Sequence, residues 1–220
     1  MTSSMTLETT TNPTASKQIG CLPYQIFHIA SFLASKDEAK YLLTCIHLKV
    51  ETKQGKKFIR IASTDGHRLF RFEFESNENP YWIDDEVKEL MIDTSAFKKS
   101  IAKAERVIIY DNGFGEVWGK NIMSGSICGL RWQSKVEGTY PHVDQLIPDS
   151  FSNEPKKPMA FNPKYLADVF KLASKFSPNQ VVRMYTNHPT TPVIFRSKCN
   201  IEDLEESELE FLVMPIQIRY

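Results

Sequence analysis

Asp65, Gly66, His67 and Arg68 place a carboxylate, an imidazole and a guanidinium within four consecutive residues. An Asp and a His this close fit acid/base work or metal ligation. The first also requires a nucleophile with its base, and the second further ligands at metal spacing. The sequence supplies neither, so no catalytic residue, metal or other cofactor is expected. The four cysteines, Cys21, Cys45, Cys128 and Cys199, lie far apart with no CxxC spacing, which argues against a zinc ribbon or redox motif and for free thiols.

A second chemistry belongs to lysine. At about 100° per residue, Lys164, Lys171 and Lys175 fall at about 160°, 140° and 180° from Leu166 on a helical wheel, so one face carries one sign of charge. On a second helical segment Lys99 and Lys103 lie away from Phe97, with Lys98 to one side. Lysines are ordinary on a solvated helix face, but repetition on two helices fits loose contact with a phosphate backbone that reads no bases. The 27 Lys plus Arg against 27 Asp plus Glu exclude a grip on nucleic acid by bulk charge and leave room only for a local basic surface.

The elements that carry these residues repeat. Ile26, Ile29, Ala30 and Leu33 form one helical stripe, with His28, Ser31 and Ser35 expected on its outer face. Leu166, Val169, Phe170 and Ala173 form another, opened by Asn162 as N-cap and Pro163. Phe97, Ile101 and Ala104 predict a shorter helix between them, so helix starts recur about every 70 residues. Each helix is followed by three strand-like stretches, such as Leu69 to Phe74 with its period of two, and a short strand precedes the second and third helices, the latter at Met159, Ala160 and Phe161. The fold class is α+β, with sheet on one side and helices on the other. Residues 1–18 read as a disordered Ser/Thr-rich tail, 19–87 and 88–148 as two units, and 149–220 as a third. With 41% hydrophobic residues, no apolar run near the roughly 20 residues of a membrane span and no signal-peptide pattern, a cytoplasmic protein without a membrane partner is expected.

The segment Thr64-Asp65-Gly66-His67-Arg68-Leu69 closely resembles a signature of the bacterial sliding clamp, the beta subunit of DNA polymerase III. Tyr140-Pro141-His142-Val143-Asp144-Gln145-Leu146-Ile147-Pro148 resembles that family's linker into its last domain. Phe161-Asn162-Pro163-Lys164-Tyr165-Leu166 resembles the opening of the last domain's second helix, and Phe211-Leu212-Val213-Met214-Pro215-Ile216 the C-terminal strand. The four segments keep the family's order and span about residues 21–218. The resemblance implies the DNA clamp fold, a non-catalytic processivity factor, and a ring that encircles duplex DNA without sequence preference, with Lys98, Lys99, Lys103, Lys164, Lys171 and Lys175 facing the DNA. It implies partners, a DNA polymerase and a clamp loader, that insert linear motifs into a groove. Matched residue by residue, the groove is lined by Leu43, Thr64, Gly66, His67, Arg68 and Leu69, by Pro141, Gln145 and Leu146, and by Leu212, Met214, Pro215 and Ile216. Taken alone, Leu43, Leu69, Leu146, Leu212 and Met214 read as core more often than as site. Gln145 stands where the family has a basic residue, which changes that edge of the groove.

The chain departs from the family in size. Three units make one complete domain, 19–148, and half of another, where the family has three domains and closes a ring with two chains. A half domain with an open sheet edge calls for a cover, and another copy in a head-to-tail contact is expected. Four chains would supply the usual number of units and three would not, so a homo-oligomeric tetramer is favoured over a trimer. The alternative is a clamp-like adaptor or decoy that binds clamp-interacting peptides without encircling DNA.

Overall fold

A computed structural model describes residues 16–76, 80–98, 101, 103–119, 128–133, 139–147, 159–177, 181–186, 191–202, 204 and 206–216. The first unit runs β1 (Gln18–Pro23), α1 (Tyr24–Leu33), a 3₁₀ segment Glu38–Thr44, β2 (Cys45–Lys53), β3 (Lys56–Thr64), β4 (Arg68–Glu75) and a short β5 (Trp82–Ile83). The second contains β6 (Glu89–Asp93), β7 (Ala104–Tyr110), β8 (Phe114–Gly119) and β9 (Cys128–Gln133). After a 3₁₀ segment, Val143–Leu146, the third has α2 (Pro163–Phe176), β10 (Arg183–Tyr185), β11 (Val193–Lys198) and β12 (Glu208–Val213). Every strand pairing is antiparallel, in the order β10-β11-β12-β4-β3-β2-β6-β9-β8-β7-β1-β5.

Local chemistry sets these elements. The β2–β3 hairpin turns on Gln54 and Gly55, both at positive φ as a tight two-residue turn requires. On β4 the period of two sends Phe70, Phe72 and Phe74 into the core and Leu69, Arg71 and Glu73 to the other face. The first strands of the two units change places: β1 pairs with β7 of the second unit, and β6 pairs with β2 of the first. Neither unit's sheet is complete alone, so the exchange welds the two into one domain. Helix α1 packs on β2, β3, β4 and β7, and α2 on β12, within one continuous core.

Four expectations need correction. No helix is found among the described residues between β6 and β7. There Phe97 is fully buried, with its ring 5.2 Å from Phe27 and 6.0 Å from Tyr24. The Phe97 carbonyl accepts from His28 Nδ1 at 2.8 Å and Ser31 Oγ at 3.1 Å, and the Ile101 N–H donates to the Tyr24 hydroxyl at 3.1 Å. Backbone groups that a helix would bond internally are bonded instead to α1. The same contact buries His28 and Ser31, and Ser35 is buried as well, so α1 does not present the polar outer face its sequence predicts. On α2 the Asn162 cap forms as expected, its Oδ1 accepting from the Lys164 N–H at 3.0 Å. The buried stripe, however, is Val169, Leu172, Ala173 and Phe176, and Phe170 is 47% exposed. The tail is also shorter than expected, because Lys17 pairs with Asp84 at 2.7 Å and Gln18 already belongs to β1. Residues 1–15 lie outside the described residues, as does 149–158 at the start of the third unit. Phe97→Ala is expected to destabilise the fold by about 3–5 kcal/mol, the cost of truncating a buried Phe; a denaturant titration showing less than about 1 kcal/mol would remove Phe97 as the plug of the α1 face.

Candidate functional site

The first and third units meet in a strand pairing, β4 with β12, in which Leu69 lies opposite Leu212 and Phe70 opposite Phe211. Because side chains alternate, Phe70 and Phe211 enter the core while Leu69 and Leu212 emerge together on the far side of the sheet. There they join Ala62 of β3, Ile194 of β11 and Met91 of β6 in a second apolar cluster, distinct from the main core. Tyr140 and Val143 of the linker are buried in it, and Leu42, Leu43, Cys45, Ile147, Tyr185 and Met214 pack half-buried at its margins.

Four of the groove residues expected from sequence therefore share this cluster, which forms the candidate slot: Leu69 and Leu212 are buried in it, and Leu43 and Met214 are half-buried at its margin. Pro215 is half-buried beside Met214, and Ile216, Leu146, Pro141 and Gln145 are exposed on the flanking segments. Thr64, Gly66, His67 and Arg68 form the turn that leads into β4. Gly66 sits at φ +93, the left-handed region that favours glycine. Thr64 Oγ1 donates to the Arg68 carbonyl at 2.6 Å and accepts the Gly66 N–H at 3.0 Å. The His67 carbonyl accepts the Met214 N–H at 3.0 Å, tying the turn to the C-terminal segment.

Asp65 serves this turn. One carboxylate oxygen accepts the N–H groups of His67 and Arg68, both at 2.9 Å, and the other accepts from Arg68 Nε at 3.0 Å and an Arg68 terminal nitrogen at 2.8 Å. Burial pushes its carboxyl pKa up, but the two N–H groups and the guanidinium together hold it below the ordinary carboxylate value. Arg68 also reaches Asp168 on α2 at 2.5 Å and lies over the Tyr165 ring at 4.7 Å, on which His67 stacks at 5.9 Å. Its guanidinium thus holds the turn against α2, while the His67 imidazole is exposed.

An ionic ladder continues the same sheet face. Arg60, 6% exposed, bonds Glu73 at 2.6 Å, Glu51 at 3.0 Å and Asp144 of the linker at 2.5 Å. Arg71 lies 3.6 Å from Asp144 and 3.4 Å from Glu210, which Arg196 meets at 2.8 Å. Asp144 thereby pins the linker across the sheet beside the slot. On its other side His47 stacks on Tyr140 at 4.5 Å, with its Nε2 2.5 Å from Glu89; burial lowers the imidazole pKa and outweighs the Glu89 carboxylate, which raises it. Sequence reasoning did not assign Met91, Tyr140, Val143, Tyr185 or Ile194 to the slot. Tyr140 was visible in the linker motif, whereas Ile194 sits in the continuous run Val193-Ile194-Phe195, which does not reveal which face it takes.

Lys164, Lys171 and Lys175 are exposed on α2. Lys98 and Lys103 are exposed too, but on the segment that replaces the expected second helix, Lys103 at a positive φ, while Lys99 lies outside the described residues. Lys103 and Lys175 both line a cleft of about 450 Å³ between the start of α1 and the end of α2. Among the described residues Cys21 and Cys45 are free thiols, and no helix is long and apolar enough to cross a membrane.

This arrangement is the bacterial sliding clamp fold. The chain is similar to the beta sliding clamp of Caulobacter crescentus at 13% identity and a TM-score of 0.64, over 96% of this chain and 68% of that one. It is similar to the sliding clamp of Bartonella birtlesii, solved bound to griselimycin, at 15% identity and a TM-score of 0.65, over 95% and 69%. The Bacillus subtilis sliding clamp aligns at 15% identity and a TM-score of 0.61, over 96% and 68%. No protein-family model matches the sequence, and no curated protein matches it.

The Asp65 turn has a pH signature. A carboxylate held below its ordinary pKa stabilises the fold fully above that ordinary value, near 4, and the contribution is lost as pH falls through the lowered one. Asp65→Asn is expected to lower stability at pH 7 and to flatten the loss of stability below about pH 4. An acid limb as steep as that of the unmodified protein would mean that Asp65 is not a contributor.

Proposed function

We propose that the chain is a non-catalytic DNA sliding clamp of the cytoplasm. It holds a linear peptide of its partners, a DNA polymerase and a clamp loader, in the apolar slot at the β4–β12 junction. The observation that supports this reading is that three sequence-distant segments, 64–69, 140–147 and 212–216, contribute to one apolar cluster, buried at Leu69, Tyr140, Val143 and Leu212 and half-buried at Ile147 and Met214. Aliphatic, Met and Tyr side chains make an adaptable apolar surface for such a motif, with His67 at its edge. The exposed lysines of α2, with Lys98 and Lys103, would face duplex DNA inside a homo-oligomeric ring, by unit count a tetramer rather than a trimer. Tethering by topology gives a bound polymerase a high effective concentration at its template.

One observation favours the second reading, an adaptor that captures clamp-binding peptides without encircling DNA. Helix α1 is covered and carries no lysine, so the basic surface depends on α2 and one turn.

Met214→Asp places a charge in the slot and is expected to weaken binding of a fluorescent clamp-motif peptide at least about a hundredfold, and His67→Ala with Leu69→Ala should also weaken it. Unchanged affinity in both variants would remove the slot as the peptide site. For DNA, the triple variant Lys164→Glu, Lys171→Glu, Lys175→Glu is expected to lose retention on circular duplex at low salt, with a salt slope reduced by about one per lost phosphate contact. If the unmodified chain is not retained on circular DNA while the peptide binds, the adaptor reading stands instead.

A further inference from the structure

The complete domain provides a template for what the half unit lacks. In the first unit β1 lies between two strands. One edge bridges β5, the segment that follows the unit's last strand, with Gly20 opposite Ile83. The other edge pairs with β7 of the second unit, with Cys21 opposite Ile108. In the third unit residues 159–161 stand where β1 stands, and Ala160 precedes Pro163 by the same three residues that separate Gly20 from Pro23. Ala160 bridges Ile216, which follows the unit's last strand as β5 follows β4, and the Ile216 N–H donates to the Ala160 carbonyl at 2.7 Å. The β5-like neighbour is thus in place, and among the described residues the β7-like neighbour is not.

The receiving edge shows the same gap. β10 corresponds to β2, the first of the three strands that follow the helix. β2 is flanked by β3 and by the exchanged β6, and its core-facing Ile46 and Leu48 are fully buried. β10 has β11 on one side and, among the described residues, no strand on the other. Met184 lies directly opposite the core residue Phe195 and so shares its face, yet it is 59% exposed. Phe170 meets Phe195 edge-on at 5.5 Å and is also largely exposed, although it occupies the helix position of the fully buried Ala30. An apolar core ends in the open at this edge.

The template also identifies the occupant. The missing neighbour of β10 is the first strand of a unit, as β6 is for β2. In every copy β1 is held between β5 and β7, and β6 between β2 and β9. The remaining first strand is 159–161. We propose that two copies complete each other, residues 159–161 of each pairing with β10 of the other about a two-fold axis, so that two half units build one whole domain. The contact is isologous, unlike the head-to-tail closure the sequence predicts, and each copy is donor and acceptor at once. It covers Met184 and Phe170 and yields a two-chain body of three domains, two of which bodies close a four-chain ring. The pairing holds whether or not DNA or a peptide binds, so its failure and theirs are read separately.

Sedimentation equilibrium of the full chain is expected to give twice or four times the 25.3 kDa chain mass. A single-chain or three-chain species at tens of micromolar would overturn the proposal. Met184→Glu is expected to weaken association at least a hundredfold while leaving the far-UV circular dichroism of the chain unchanged, which shows that the variant has folded; an unchanged mass would overturn the proposal as well. As a second measurement, cysteines at 159 or 161 in one copy and at 183 or 184 in another are expected to cross-link between chains on oxidation, above the background of the native thiols. No cross-link at any of the four pairings would exclude the exchange.

Discussion

The pairing of β4 with β12 is the constraint on which the rest of the surface depends. It fixes Leu69 opposite Leu212 and Arg71 opposite Glu210, and because β3 holds β4 in place, a slip of β12 by one residue would send Phe211 outward and Leu212 inward. The core therefore specifies the register, and the register places the slot. The fully buried Phe211 ring, 5.5 Å from that of Phe70, makes the slipped register costly by at least one buried aromatic side chain. The slot has no independent scaffold. It is the reverse side of a core packing solution, and its walls are as well positioned as the core beneath them.

Along the same face the apolar slot gives way to the Arg60, Arg71, Glu73 and Glu210 ladder, and the linker is fastened to both. Tyr140 and Val143 anchor it by burial, and Asp144 anchors it by charge. Such a nearly buried guanidinium adds little net stability against an apolar replacement, but leaving it unpaired is costly, so the ladder acts chiefly to specify where Asp144 must lie. That specification matters because the linker supplies one wall of the slot. A covalent connection between two units thereby becomes part of the surface that a partner would read.

Legibility from sequence followed the range of the interactions. The hairpins, the alternation of β4, the Asn162 cap and the turn at Gly66 depend on neighbouring residues, and each could be read directly. The expected helix around Phe97 could not, because its pattern of Phe97, Ile101 and Ala104 fits a helix in isolation. What overrides it is tertiary: Tyr24, His28 and Ser31 bond the backbone groups that would have closed helical turns. The burial of His28 and Ser31 was hidden for the same reason, since small polar residues read as solvated until a carbonyl is brought to them. At the slot, motif residues marked the segments, but Met91, Tyr185 and Ile194 carry no motif and join only through sheet order. Phe170 looked like core because its spacing is that of core. Its exposure follows because no element among the described residues covers it, which helical periodicity does not report.

The half unit carries two surfaces on the same three strands. On the outer face β11 and β12 give the slot Ile194 and Leu212, and β10 adds Tyr185 at its margin. On the inner face β10 and α2 leave Met184 and Phe170 uncovered. β10 is three residues long and hydrogen-bonded to a strand on one side only among the described residues, which places it at the low end of local stability. A strand added along its other edge would order β10, and with it the Tyr185 and Ile194 side of the slot. Under the two proposals made above, assembly and peptide capture would be coupled through main-chain order, without any residue that touches both partners, and by linkage that coupling would be reciprocal.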